Sequence, residues 1–297
     1  MIFGRRKTRV RRFGERQVIA EGLETPGWRD IYFIAMTASW PAFIAALAVI
    51  FLLLNTFFAC IYLIGGAPIA NARPGSFFDV FFFSVETTST VGYGDMYPQT
   101  MFGHLVATVE NFVGLLSLAV MTGLVFARFS RPHARILFAR NPVIFVLDGQ
   151  PTLAIRIANG RNSFISEATA KLWMLGPIVS AEGRSRVAFR PMKLQRYENP
   201  TFTLTWTLFH PIDEESPLAG MSESDLAASQ MNFVVTVAGL DETSAQVVRA
   251  RTVYAVQDVR ANHEFVDVFR IDGNGVRHVD YSRLHEISAS SRRVVSP

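Results

Sequence analysis

The sequence predicts an α-helical membrane domain with two spans and a short re-entrant helix between them, followed by an all-β sandwich domain. Three observations predict it. Residues 42–64 run for 23 positions without a charge, and about 20 apolar residues suffice to cross the hydrocarbon core. Between that run and a second one at 101–127 lies a short aromatic stretch that ends in Thr90-Val91-Gly92-Tyr93-Gly94. From Phe129 onward such runs stop, and short alternating segments are separated by Asn, Asp and Gly turns.

The apolar residues are concentrated rather than spread. The chain has 297 residues, 49% hydrophobic and 18% charged, with a mean hydropathy of +0.23, high for a soluble protein. They crowd into residues 40–127. The pattern divides the chain into a basic tail with an interfacial helix at 1–38, a membrane domain at 39–129 and a β-domain at 130–297. Seven Lys and Arg lie within the first 16 residues, with Glu15 the only acid there. Beside a membrane segment, such a tail points to anionic lipid rather than nucleic acid. The first span is too long for a signal peptide and starts about 40 residues in, without an obvious small-residue cleavage site. The single cysteine, Cys60, excludes an intrachain disulfide and reads as apolar filler.

The second span carries His104 and Glu110. An acid in lipid is expensive, so Glu110 faces protein or water. Two roles fit it: a carboxylate bonded between helices, or one beside an ion path. The basic residues set the topology. The tail is Arg-rich, and Arg128, Arg131, Arg135 and Arg140 follow the second span with no acid before Asp148, whereas Arg73 is the only strong base within 65–100. Both ends are therefore expected inside the cell and 65–100 outside.

In that outer segment, 76–89 reads SFFDVFFFSVETTS, too short to span. Ser76 suits an N-cap. Between two spans, such a run predicts a re-entrant helix whose negative end points at Thr90–Gly94. Non-helical backbone at membrane depth is tolerated only where protein buries it or it lines water. Glycines at alternate positions can turn successive carbonyls to one side. One chain gives a column of oxygens; four chains about an axis give rings that replace the water shell of a monovalent cation. The Thr90 side chain can add an inner ring, and Tyr93 can pack outward. A plain surface turn leaves the preceding helix unexplained.

The β-domain has candidate strands at 143–147, 152–158, 168–175, 201–209, 233–239, 247–254 and 265–271. Turns are expected at Asp148-Gly149, Asn159-Gly160 and 272–275. Short strands at this spacing suggest a sandwich. Only 222–228 reads as helical, with Ser222 as N-cap and Asp225 in a capping-box position. No G-x-G-x-x-G follows a strand, and no Arg-rich span suggests a voltage sensor.

Residues 76–95 resemble the pore loop of potassium channels, whose selectivity-filter signature is T-V-G-Y-G. HPIDEESPL at 210–218 and DYSRLH at 280–285, with SWP at 39–41 and NARPGS at 71–76, resemble inward-rectifier potassium channels, and the compact filter segment fits the bacterial KirBac branch. The resemblance runs from about residue 28 to 287. It implies a homotetramer in the inner membrane, with an immunoglobulin-like cytoplasmic assembly that extends the pore. Potassium would be the permeant ion, bound by Thr90, Val91, Gly92 and Tyr93, with no cofactor.

Further roles come from the same resemblance. Residues 26–37 resemble the interfacial slide helix; locally, Trp28 suits the headgroup level and Arg29 the polar face, although a plain connector helix fits too. Gly114 matches a hinge glycine and Phe126 the bulky residue at the bundle crossing; a lipid-facing Phe126 is the alternative. Arg128, Arg131 and Arg161 match bases that meet phosphoinositide headgroups in animal relatives; from physics alone Arg128 and Arg131 are interfacial cations. Glu167 and Asp258 match acids lining the cytoplasmic pore, with solvated surface charge as the alternative. Leu118 stands where strong rectifiers hold an acid, so magnesium or polyamine block should be weaker; nearby Asn111 is polar but uncharged. Glu86 matches a glutamate behind the filter, but its arginine partner in animal channels is replaced by Asp95-Met96. That leaves Glu86 to be protonated or bonded to filter amides. The extracellular disulfide of animal members is absent.

Two rivals remain at this level. One is another two-span potassium channel gated by a cytoplasmic ligand domain; a nucleotide fold after 130 would favour it. The other is a membrane-tethered β-domain that binds partners and conducts nothing. An enzyme is disfavoured, because no nucleophile–base or metal constellation stands out among the six scattered histidines.

Overall fold

A computed structural model describes residues 9–13, 16–20, 31–131, 134–229 and 231–290. The chain divides into two compact units, residues 24–131 and the remainder.

The first unit is helical. A short helix, α1 (Ile31–Thr37), precedes α2 (Trp40–Ile64). Ser39 caps α2 by accepting a hydrogen bond from the Ala42 N–H at 3.4 Å, and Pro41 occupies the first turn, where its missing N–H costs nothing. A two-residue strand, β3 (Ile69–Ala70), leads to α3 (Phe77–Thr88), then β4 (Tyr97–Pro98) and α4 (Met101–Phe129). Both α2 and α4 are long and apolar enough to cross a membrane. Ser76 caps α3 through the Asp79 N–H. Asp79 in turn takes a two-pronged bond from the Arg73 guanidinium at 2.7 and 2.9 Å, which fixes the loop entering α3. Phe58, Ala59 and Tyr62 of α2 bury themselves against Val80 and Phe83 of α3. Tyr62 and Phe83 meet edge to face at 5.3 Å.

Among the described residues, the second unit is all-β apart from one short α-helix and two 3-10 turns, Val256–Asp258 and Tyr281–His285. The hairpin β1 (Arg9–Phe13) with β2 (Arg16–Ala20) belongs to it. Its strands then run β5 (Ile136–Phe138), β6 (Val143–Leu147), β7 (Gln150–Asn159), β8 (Ile165–Val179), β9 (Ser185–Met192), β10 (Glu198–Phe202) and β11 (Thr205–Pro211). After α5 (Glu223–Ala228) follow β12 (Asn232–Asp241), β13 (Gln246–Ala255) and five strands of two or three residues up to Ala289. One sheet is ordered β10-β8-β12-β13 with β9 also on β8. The other is ordered β11-β7-β6, with β5 also on β7 and the pair Arg260–Ala261 beside β6. The two sheets share one core. Leu153, Ile155 and Ile157 from one face Ala170, Leu172, Met174, Phe233, Val235 and Val237 from the other, each set at period two. This is the predicted sandwich. The parallel α/β sheet that a nucleotide-binding domain needs is not what residues 136–289 form.

Asp148 and Gly149 both take positive φ, 51° and 83°, and close the β6–β7 hairpin in two residues. The predicted strand 201–209 is two strands in different sheets. Phe202 pairs with Ile165 and Trp206 with Ile157, so the chain changes sheet at Thr203-Leu204. Period-two patterning does not register such a corner. Strand β9 was not predicted, because Pro191 and the charged Arg186 and Arg190 mask it; among the described residues it pairs only with β8, and an edge tolerates proline.

The motif at 210–218 is a packing device. Nδ1 of His210 lies 2.6 Å from the Lys193 carbonyl, which can only accept, so Nδ1 carries the hydrogen. Nε2 therefore accepts from the Ser216 hydroxyl at 2.8 Å, and Ser216 accepts from the Leu218 N–H. Burial holds this imidazole below its ordinary pKa of 6.5, against the opposing pulls of Lys193 and Asp213. A histidine kept neutral in the fold contributes stability that is whole above the unfolded pKa. That stability is lost as pH falls from there through the folded value. Thermal unfolding of the protein is expected to shift downward between pH 7 and 5, at roughly the unperturbed histidine range, and less so in His210→Gln.

Candidate functional site

The end of α3 and the loop after it form one hydrogen-bonded unit. With Ser89 as C-cap, the Thr90 N–H donates to the Thr87 carbonyl at 3.0 Å and the Val91 N–H to the Glu86 carbonyl at 2.9 Å. These are the two bonds of a Schellman closure, which requires a left-handed residue just past the cap. Thr90 takes that conformation, at φ +58°. Gly92 and Gly94 follow at +55° and +83°, while Val91 and Tyr93 between them keep negative φ. Alternation of hand turns consecutive peptide units to the same side, so a row of carbonyl oxygens can face one direction. Only the glycines were expected to have this freedom. The signal for Thr90 was its place as the first residue beyond a helix C-cap.

The far end of the loop is tied to the chain before α3. Ile69 pairs with Pro98 and Ala70 with Tyr97. The Gln99 backbone N–H donates to the Pro68 carbonyl at 2.9 Å and its side chain to the Ala67 carbonyl at 2.8 Å. Asn71, itself at φ +61°, donates from Nδ2 to the Asp95 carbonyl at 2.7 Å. Glu86 was expected to be protonated or to bond filter amides. Among the described residues its side chain has no hydrogen bond; its backbone carbonyl does that work through Val91.

Beneath the loop, α4 touches α3 at Gly114. A Cβ built there would stand 2.7 Å from the Thr88 carbonyl oxygen and 3.1 Å from Thr88 Cα. Glycine is thus required by close approach, whatever hinge it also provides. One turn away, Glu110 is fully buried. Its Oε2 accepts from the Tyr62 hydroxyl at 2.6 Å, and its Oε1 contacts the hydroxyls of Ser84, at short range, and Thr88, at 3.1 Å. Ser84 also meets Asn55 Oδ1 at 3.0 Å, while Asn55 Nδ2 donates to the Phe51 carbonyl. Of the two roles open to Glu110, it fills that of a carboxyl bonded between helices. Its partners were missed in the sequence, yet Asn55 and Tyr62 sit seven residues apart, one face of an otherwise apolar span.

Asn111, Leu118 and Phe126 are exposed on the single chain and lie along one side of α4. At its end, Arg128 is only 7% exposed. Its guanidinium donates to the Ala35 carbonyl and, at 2.8 Å, to the Ala38 carbonyl. It lies over the rings of Trp40 and Phe43 at 4.7 and 4.4 Å. Arg128 thus joins the end of α1 to α4, a use that a headgroup contact did not anticipate. Arg131 is exposed and donates to the Met36 carbonyl at 3.0 Å. Trp28 and Arg29 lie outside the described residues.

Arg161, Glu167 and Asp258 belong to the other unit. Arg161 is exposed just past β7, its N–H held by Asn159 Oδ1 at 3.0 Å. Glu167 is exposed at φ +50°, where the pairing of β8 with β12 shifts register, so a bulge directs its side chain outward. Asp258 is half-buried, and its carboxylate accepts from the Ala255 N–H at 2.9 Å.

Comparison with known proteins bears on all of this. A family profile described as the inward rectifier potassium channel C-terminal domain matches residues 136–296, and one described as ion channel matches 47–131. The chain is 41% identical over 276 residues to the inward rectifier potassium channel Kirbac3.1 of Paramagnetospirillum magnetotacticum, covering 93% of this chain and 94% of that one. It is 31% identical over 241 residues to inward rectifier potassium channel 4 of Rattus norvegicus, covering 75% of this chain. It is 29% identical over 244 residues to ATP-sensitive inward rectifier potassium channel 12 of Gallus gallus, covering 78%. It spans about half the length of these two animal relatives, 53% and 54%. With a β-sandwich of its own and two helices long enough to span, it is a membrane protein and a potassium channel, not an enzyme, and it belongs to the inward rectifier potassium channel family.

Proposed function

We propose that four copies of this chain surround one axis, and that potassium loses its water at carbonyl rings formed by Thr90, Val91, Gly92 and Tyr93, with Gly94 closing the outer end. The observation that carries this reading is the alternation of left-handed and negative φ from Thr90 to Gly94. Tyr93 is 77% exposed on a single chain. Backbone of this kind at membrane depth needs protein around it, which a ring of four supplies. The negative end of α3 favours a cation just below. Asn111, Gly114 and Leu118 line the cavity, and Phe126 forms the narrowest ring, which closes by dewetting. The pore domain is 39–129, between the basic tail with its interfacial helix at 1–38 and the cytoplasmic domain at 130–297, where Glu167 and Asp258 attract cations. Both termini face the cytoplasm and the membrane is the inner one.

Anionic lipid modulates opening in this reading. Ile31, Tyr32, Phe33 and Ile34 of α1 are all at least 50% exposed, as suits a helix lying in the acyl boundary. Trp28, Arg29, Arg131 and Arg161 meet headgroups, and Arg128 passes the contact to α4. Leu118 leaves block by internal magnesium or polyamine weak. The test is rubidium uptake into liposomes holding the purified protein. Uptake that barium blocks and that changes with anionic lipid content is expected. Uptake equal to that of empty liposomes across lipid compositions would remove the reading, and insensitivity to lipid would remove its regulatory part.

A further inference from the structure

We propose that Glu110 is a positioning residue for the selectivity filter, held as the neutral acid, and that it fixes the foot of the filter to both membrane-spanning helices at once. This rests on the proposed filter and deepens it. The argument begins with a hydrogen count. Four oxygen–oxygen contacts meet in the cluster: Tyr62 with Glu110 Oε2, Thr88 with Oε1, Ser84 with Oε1, and Ser84 with Asn55 Oδ1. Asn55 cannot be turned to supply a donor, because its Nδ2 is committed to the Phe51 carbonyl at 2.7 Å. Three hydroxyls bring three hydrogens, and a hydroxyl donates once. The fourth hydrogen is the carboxyl's own, passed from Glu110 Oε1 to Ser84, which passes its hydrogen to Asn55. No cation reaches the group among these contacts, and an ionised carboxyl buried without one is far costlier than a neutral acid with every contact filled.

The placement gives the cluster its consequence. Glu110 sits on α4, Tyr62 and Asn55 on α2, and Ser84 and Thr88 on α3. Thr88 is the last residue of α3, two before Thr90. The Gly114 contact presses α4 against the Thr88 backbone, and the Glu110 contact holds its side chain. With both in place, the Schellman closure that sets φ at Thr90 starts from a fixed point. The cluster touches no ion; it acts through Thr88.

Glutamine has the same shape, and its amide can donate to Ser84 and accept from Tyr62 without any charge. The experiment compares rubidium with sodium uptake in liposomes for wild type, Glu110→Gln, Glu110→Val and Ser84→Ala, each checked for its assembled size. Glu110→Gln is expected within about twofold of the wild-type ratio, and Glu110→Val to lose roughly tenfold or more, since buried hydroxyls are left unmatched. Ser84→Ala, which removes one atom and keeps the fold, is expected to fall between them and decides the matter if Glu110→Val does not assemble. The infrared carbonyl stretch of a protonated carboxyl should be present in wild type and absent in Glu110→Gln. Wild-type ratios in every variant, or a Glu110→Gln as poor as Glu110→Val, would overturn the inference while wild-type uptake leaves the filter reading standing. No rubidium uptake by wild type would overturn both.

Discussion

Gly92→Ala is expected to abolish selective rubidium uptake while leaving the β-sandwich unfolding transition unchanged. Gly92 stands at φ +55°. An L-residue held there costs about 1–2 kcal/mol, and four copies in one ring raise this to roughly 4–8 kcal/mol. In the proposed filter the chain escapes by rotating the peptide, which would swing a carbonyl off the axis and remove an ion ligand from each subunit. Thr90 tolerates the same conformation because two backbone bonds, to Thr87 and Glu86, hold it. Gly92 has no such closure. The measurement is the ratio of rubidium to sodium uptake in liposomes. A Gly92→Ala protein with the wild-type ratio would exclude the alternating loop as the filter.

Gly114→Ala is the second variant with a large expected effect, and it separates two roles of one glycine. The added carbon would meet the Thr88 carbonyl oxygen at 2.7 Å, backbone rather than a movable side-chain tip. Overpacking of this kind costs about 1–3 kcal/mol. Relief comes either from α4 moving away from α3 or from Thr88 moving toward the loop at Thr90. Both loosen the seat of Thr90, so selectivity should fall roughly tenfold, in line with that cost. If Gly114 served only as a hinge, the substitution would alter how much flux occurs and leave the ion ratio untouched. Gly123, also on α4, has open space around its Cβ position in the chain. Gly123→Ala should keep the wild-type ratio.

The loop from Thr90 to Gly94 was legible in the sequence because glycine, a short helix and two flanking spans are all patterns along the chain. The conformation of Thr90 was not, since it depends on where the preceding helix stops. The same limit separates Gly114 from its reason. A family match marks the position, but only packing against Thr88 shows what an extra carbon would hit. Glu110 announced itself as a costly acid in a span, yet its partners come from two other helices, 22 to 48 positions away in the chain. Arg128 looked interfacial because cations at span ends usually are; the carbonyls at the end of α1 bring it into the protein instead. In the β-domain, alternation located β6, β7 and β12, and it failed at Thr203-Leu204, where the chain keeps its rhythm while changing sheets.

The pairing of β3 with β4 has a consequence for where this protein can work. The segment after Gly94 is held by backbone bonds at Ile69–Pro98 and Ala70–Tyr97 and by Asn71 on Asp95, and the chain's one cysteine, Cys60, lies within α2. No thiol or disulfide takes part in that clamp. Its strength does not follow the thiol–disulfide poise of the surrounding compartment, and it forms as the chain folds, without an oxidant or an isomerase. That end of the loop is thus set by hydrogen bonds that do not wait on a disulfide being made or kept.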